Sequence, residues 1–256
     1  MLLVAATACG SGSAPASSPS PTGSQSNDIA LLAGASERTR AITSAVSMVS
    51  TLTNDGQDYV LTLQGSFDFA ADTGSLVITF PGGAISRTEE LFTESSLYFR
   101  LPADPSQPEQ LIWVRIPRAE AKVRYLLRPP GNDPEYVLAQ LPKARSVRLV
   151  GSEQVGGVAL TRYQGFLDLQ TVTADFDPSR RELVAQLQNA WPDQGAPIDV
   201  WLDGPGTVRR VVQTLNLGGV TTRLQLDLTP PGDTVQAHPQ EPATSVEGKL
   251  QGILMG

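Results

Sequence analysis

Two-residue alternation of apolar and polar side chains, interrupted every ten residues or so by Gly- or Asp-rich turns, runs through most of this chain and limits what it can fold into. Ala45 to Thr53 reads as a strand, Asn54-Asp55-Gly56 as a turn and Asp58 to Phe69 as the return, with Tyr59, Leu61, Leu63, Phe67 and Phe69 on one side. Asp72-Thr73-Gly74 turns again, and Leu76, Ile78 and Phe80 alternate up to Pro81-Gly82-Gly83. Ile85 to Phe92, Leu97 to Leu101 and Leu111 to Ile116 continue the series. After a break come Ser146 to Glu153 and Val158 to Leu169 across Gly156-Gly157. Ile198 to Asp203, Thr207 to Asn216 and Val220 to Leu228 complete it. Connections this short join antiparallel neighbours and cannot make parallel crossovers. The expectation is an α+β fold built on a strongly curved, mainly antiparallel sheet of about eleven strands, because a sheet that wide must twist and curl.

Helices are expected between the strand runs. Asp28 can cap one reaching to Arg40, with Ile29, Leu32, Ala33 and Ser36 on one face. Asp133-Pro134 places a cap before proline at the first helical position, and Val137, Leu138 and Leu141 would face inward. Asp177-Pro178 repeats the device, with Leu183, Leu187 and Trp191 on one side. Helices placed there would cover the concave face of a half-barrel. From Pro230 onward Pro, Gly and polar residues dominate, so residues 236–256 read as a loosely ordered tail.

Cys9 is the only cysteine and marks a sharp change in composition. The apolar run Leu2-Leu3-Val4-Ala5-Ala6-Thr7-Ala8 precedes it, and the 18 residues Gly10 to Asn27 that follow carry no charge. The arrangement resembles the lipobox of a bacterial lipoprotein, in which the thiol takes the lipid after the leader is cut away. Residues 1–8 are then the remnant of a signal peptide, 9–27 the lipidated Cys9 with its tether, and 28–235 the folded domain. Ala6 stands where such motifs usually carry Leu, and no basic residue precedes the run, so an upstream start supplying the positive segment is expected. The alternative is an incidental thiol in a disordered N-terminus. As polyproline II the tether would reach about 56 Å, and as a flexible coil about 23 Å. No run approaches the ~20 apolar residues that span a bilayer as a helix. The net charge of −7 argues against nucleic acid as a partner.

Catalytic chemistry finds few candidates. His238 is the only histidine and sits in the Pro-rich tail, away from any nucleophile held rigidly beside it. Asp199 and Asp203 share a strand face but stand about 13 Å apart, beyond the reach of a glycosidase pair. Glu89 and Glu90 are adjacent in a strand and face opposite sides. The expectation is a non-enzymatic protein with no cofactor and no metal site.

The segments DPEYVLAQLPKARSVRLVGSEQVGGVALTRYQGFLDL and IDVWLDGPGTVRRVVQTL, together with Trp113 in LIWVRI after a long loop, resemble the LppX/LprA/LprF/LprG family of actinobacterial lipoproteins, related in fold to LolA. The likeness covers about Asp28 to Val235. It implies a U-shaped sheet with helices on its concave side, an apolar cavity between them, and lipid or glycolipid as ligand. Leu61, Leu63, Phe67, Phe69, Leu76, Ile78, Phe80, Leu97, Phe99, Ile112, Val114, Leu167, Leu169, Leu224 and Leu226 are the cavity candidates, with ordinary core packing as the alternative for each.

Basic residues also cluster. Arg115, Arg118, Lys122, Arg124, Arg128, Lys143, Arg145 and Arg148 are eight of the 19 in the chain. The first five could contact lipid headgroups, or the group could be a solvated loop face. The expected protein is monomeric and extracytoplasmic, held at the cell membrane by its N-terminal lipid. The competing reading is an envelope sensor or interaction module that engages a membrane-protein partner.

Overall fold

The β1–β2 hairpin sets the pattern of the fold. Thr43–Asn54 (β1) and Gln57–Asp68 (β2) pair over their full length, from Thr43↔Asp68 to Asn54↔Gln57. Asp55 and Gly56 at the turn both have positive φ, 48° and 75°, the two-residue geometry that matches strand twist. The computed structural model describes residues 24–82, 86–104, 106–118, 133–168, 182, 195–217, 220–233, 235, 238–239 and 243–245.

Among these residues a single sheet of twelve strands forms. Besides β1 and β2 it contains Thr73–Thr79 (β3), Arg87–Phe92 (β4), Ser96–Pro102 (β5) and Leu111–Pro117 (β6). The second run is Arg145–Val155 (β7), Val158–Asp168 (β8), Gly195–Leu202 (β9), Val208–Leu217 (β10) and Val220–Thr229 (β11). The order is β12-β6-β5-β4-β3-β2-β1-β11-β10-β9-β8-β7. Each run is a meander, and β1 joins them by pairing with β2 on one side and β11 on the other. Eleven strands lie where the alternation places them, to within a few residues. The twelfth, Thr244–Ser245 (β12), falls in the segment read as a loose tail and pairs in parallel with β6 at Val114 and Arg115.

Two helices accompany the sheet among the described residues. Ser24–Arg40 (α1) begins four residues before the expected cap, so Asp28 lies inside the helix. Its buried positions are Leu32, Ala35, Ser36 and Thr39, one face of the helical repeat. Pro134–Gln140 (α2) follows its sequence signals closely: Asp133 accepts a hydrogen bond from the Tyr136 N–H at 3.1 Å, and Val137, Leu138 and Leu141 are buried. A 3-10 turn, Leu141–Lys143, leads into β7. The helix expected from Asp177-Pro178 lies outside the described residues.

The path of α2 explains why the sheet bends. Arg118, just past β6, is ion-paired to Asp133 at the start of α2, and β7 begins directly after the 3-10 turn. β6 and β7 are ten strand steps apart, about 48 Å in a flat sheet. The helix and turn between them span only about 16 Å. An open sheet can satisfy both only by curling, as a half-barrel does. The core lies on one face of this sheet, where residues of β1 to β11 join Leu32 and Ala35 of α1 and Val137 and Leu138 of α2 in one apolar cluster.

Candidate functional site

Strand register brings the expected apolar residues onto one face. Ile78, Leu63, Met48, Leu226, Val211 and Val200 form a continuous row across β3, β2, β1, β11, β10 and β9. Leu61, Ser50, Leu224, Gln213 and Ile198 form the next row. Leu63, Phe67, Phe69, Leu76, Ile78, Leu97, Phe99, Val114, Leu167, Leu224 and Leu226 are buried within one cluster, and Leu61 and Phe80 pack against it partly buried. Ile112 shares the inner face of β6 with Val114, yet it is 36% exposed and lies outside the cluster. Leu169 lies outside the described residues. Val46, Met48 and Leu228 belong to this face too, and the small polar residues between them weakened their alternation in the sequence.

The two ends of this face differ. One end carries the β2–β3 and β4–β5 turns and the end of β6, and an ionic knot lies there. Arg118, 2% exposed, pairs with Asp133 at 3.1 Å and Asp72 at 2.7 Å and donates to the Thr93 carbonyl at 3.2 Å. Burial alone would lower the Arg118 pKa, but the two carboxylates override it and hold it above the ordinary arginine value. Beside the knot, Arg40 of α1 pairs with Glu135 of α2. Burial nevertheless leaves the Glu135 carboxyl above its ordinary range, against the pull of Arg40. Two more bonds fix α1 here: the Ser36 hydroxyl donates to the Leu138 carbonyl at 2.8 Å, and the Val208 N–H donates to Thr39 Oγ1 at 2.9 Å.

At the other end apolar side chains become exposed. Along β2 the inner-face series runs from buried Phe67 and Leu63 through half-buried Leu61 to Tyr59, which is 55% exposed. Phe80 beyond β3 and Ile112 at the start of β6 stand at the same end.

Two buried amides stand out, one on the apolar face of the sheet and one on α2. Gln213 is 4% exposed between Leu224 and Ile198, and its Oε1 has no hydrogen-bond partner. Gln140, the last residue of α2, is 2% exposed with neither Oε1 nor Nε2 bonded. A buried amide left unpaired costs about 1–3 kcal/mol. Nothing in local sequence singles out either residue, since glutamine is common on solvated strand and helix faces.

The basic cluster of the sequence separates in space. Arg118 cannot contact a headgroup as expected, because it is enclosed in its ionic knot. Arg115 is exposed on the outer face of β6, where it donates to Ser96 Oγ at 2.9 Å. Arg145 and Arg148 lie on β7 at the far side of the sheet, with Arg145 paired to Asp168 at 2.9 Å. Lys122, Arg124 and Arg128 lie outside the described residues. Asp199 lies within β9 and Asp203 in the turn that follows it. Asp199 pairs with Arg162 at 2.8 Å, and Asp203 accepts from the Thr207 N–H at 2.8 Å.

No family model matches the chain, and no curated protein does. Among solved structures it is similar to LprF from Mycobacterium bovis, with 16% identity and a TM-score of 0.48 over 88% of this chain and 100% of that one. It is similar to the Mycobacterium tuberculosis lipoprotein LppX, with 14% identity and a TM-score of 0.49 over 84% of this chain and 100% of that one. The MucA/MucB complex of Pseudomonas aeruginosa gives 14% identity and a TM-score of 0.39 over 86% of this chain and 64% of that one.

Proposed function

We propose that this chain is a non-enzymatic envelope lipoprotein that takes the acyl chain of a lipid or glycolipid against the inner face of its sheet and carries or presents it. One observation supports this reading above the rest. A largely apolar face carries the buried Arg118 ion pairs at one end, while apolar exposure rises through Leu61, Phe80 and Ile112 to Tyr59 at the other. An acyl chain entering past these residues is shielded from water at about 0.8 kcal/mol per CH₂. Affinity then needs few polar contacts. In this reading α1 and α2 cover the concave face, and the fifteen inner-face candidates line the space the chain occupies. Arg115, Lys122, Arg124 and Arg128 remain the residues that meet anionic headgroups.

Cys9 carries the anchor, the residues between it and α1 at Ser24 give the domain its reach from the membrane, and the domain from α1 through the sheet binds the ligand, working as a monomer outside the cytoplasm. Among the described residues no helix is long and apolar enough to cross a bilayer, and an anchor supplies attachment without one. Titration with a fluorescent acyl probe tests the reading. Saturable binding that weakens in Ile112→Asp without loss of fold supports it, and a folded chain that binds no probe removes it.

A further inference from the structure

We propose that Gln213 and Gln140 are specificity residues for a hydroxyl group carried on the acyl chain. This inference rests on the acyl-chain reading above and adds the chemistry that chain must present.

Interiors satisfy nearly all their buried polar groups, and an isolated amide among aliphatic side chains is an exception that asks for a partner. Gln213 meets that description on β10: its strand neighbours in register are Leu224 and Ile198, both fully buried, and its Oε1 is unbonded. Gln140 meets it on α2, with both polar atoms of its amide buried and unbonded. Gln213 stands in register with two residues of the apolar cluster, and Gln140 is buried on the helix whose Val137 and Leu138 join that same cluster. Neither side-chain oxygen takes part in the Arg118 knot or in any hydrogen bond, and leucine would fill either position at lower cost if packing were their only role.

The unmet demand defines the ligand group. An amide offers two donors and an acceptor that accepts twice, and its oxygen and nitrogen can exchange places by rotation. A hydroxyl both donates and accepts, so it satisfies either orientation of either glutamine. A plain hydrocarbon chain would leave both amides unpaired in the bound state. Binding therefore favours a hydroxylated chain over its saturated parent by about one net hydrogen bond, or about fivefold in Kd.

The test uses the purified full chain, stearate, and a set of monohydroxystearates differing in hydroxyl position, with Kd measured by displacement of a fluorescent acyl probe. The expected result is that at least one hydroxystearate binds about fivefold more tightly than stearate. In Gln213→Leu, Gln140→Leu or both, the ratio of stearate Kd to hydroxystearate Kd falls toward one. Thermal unfolding of each variant at or above the wild-type midpoint checks that the change is local. Equal affinity for stearate and every hydroxystearate overturns the inference, as does a preference that survives in both variants. A folded chain that binds neither stearate nor the probe overturns the acyl-chain reading itself, and the inference with it.

Discussion

Arg118 and Asp133 form a two-pronged ion pair, Nε to Oδ2 at 3.2 Å and Nη2 to Oδ1 at 3.1 Å, and the same Oδ1 caps α2 by accepting from the Tyr136 N–H. One carboxylate thus joins the end of the first meander to the helix that leads into the second.

Arg118→Met strands Asp133 and Asp72 without their cation, and the expected loss is about 3–5 kcal/mol of folding stability. Asp133→Asn keeps a capping oxygen and should cost less. The double variant should lie above the sum of the singles by about 0.5–3 kcal/mol. Urea denaturation of the four proteins measures the coupling, and strict additivity would show that the two residues act separately.

Glu135 gives the chain a pH dependence of definite sign. Its folded pKa is raised, so within the interval above the ordinary glutamate value the native state holds a proton that the unfolded chain has released. Its contribution is full below the unfolded pKa and is lost as pH rises through the folded one. Stability should therefore fall across that interval, and Glu135→Gln should flatten the fall in a thermal-melting series from pH 4 to 8. A wild-type profile that rises through this interval because of Glu135 would contradict the sign.

Most of the fold was legible because hairpins write their register locally. Asn54-Asp55-Gly56 fixes the turn, and alternation on either side fixes which residues face inward, so Leu63 opposite Met48 follows without any long-range information. Asp133-Pro134 was equally clear, since a cap and a first-turn proline are contact-free signals. Three things were not legible. Clustering of basic residues along the sequence could not show that Arg118 would be enclosed by Asp72 and Asp133 while Arg145 went to the far side of the sheet. The start of α1 at Ser24 runs through Ser and Gln, residues that composition assigns to the tether. Gln213 and Gln140 become unusual only after tertiary packing removes their solvent.

Gly74 should resist substitution. A Cβ there would stand 2.3 Å from Cδ2 of Phe67, whose ring lies across the glycine from the facing strand. Phe67 is itself wedged against Phe69 and Phe92, with ring centroids at 4.8 and 5.4 Å, so it has little room to move. Gly74→Ala is expected to cost about 1–3 kcal/mol by overpacking. Gly82→Ala, where nothing lies within 4 Å of the new methyl, should stay within about 0.5 kcal/mol and serves as the control.

Cys9→Ser separates anchoring from folding. If the thiol holds the lipid, the variant should move from the membrane fraction to the soluble fraction of a bacterial host that processes lipoproteins. Its thermal midpoint and acyl-probe affinity should match wild type. Equal membrane partition of both proteins would remove Cys9 as the anchor.

The most direct measurement is of what the domain carries. The unlipidated chain, purified from a bacterial host without detergent, should show by native mass spectrometry a bound species near one per molecule. Organic extraction should release an acyl-containing lipid, and Ile112→Asp should retain less of it at unchanged thermal stability. A cooperatively unfolding chain that carries no lipid above a control protein, and takes up none from added vesicles, would contradict the account.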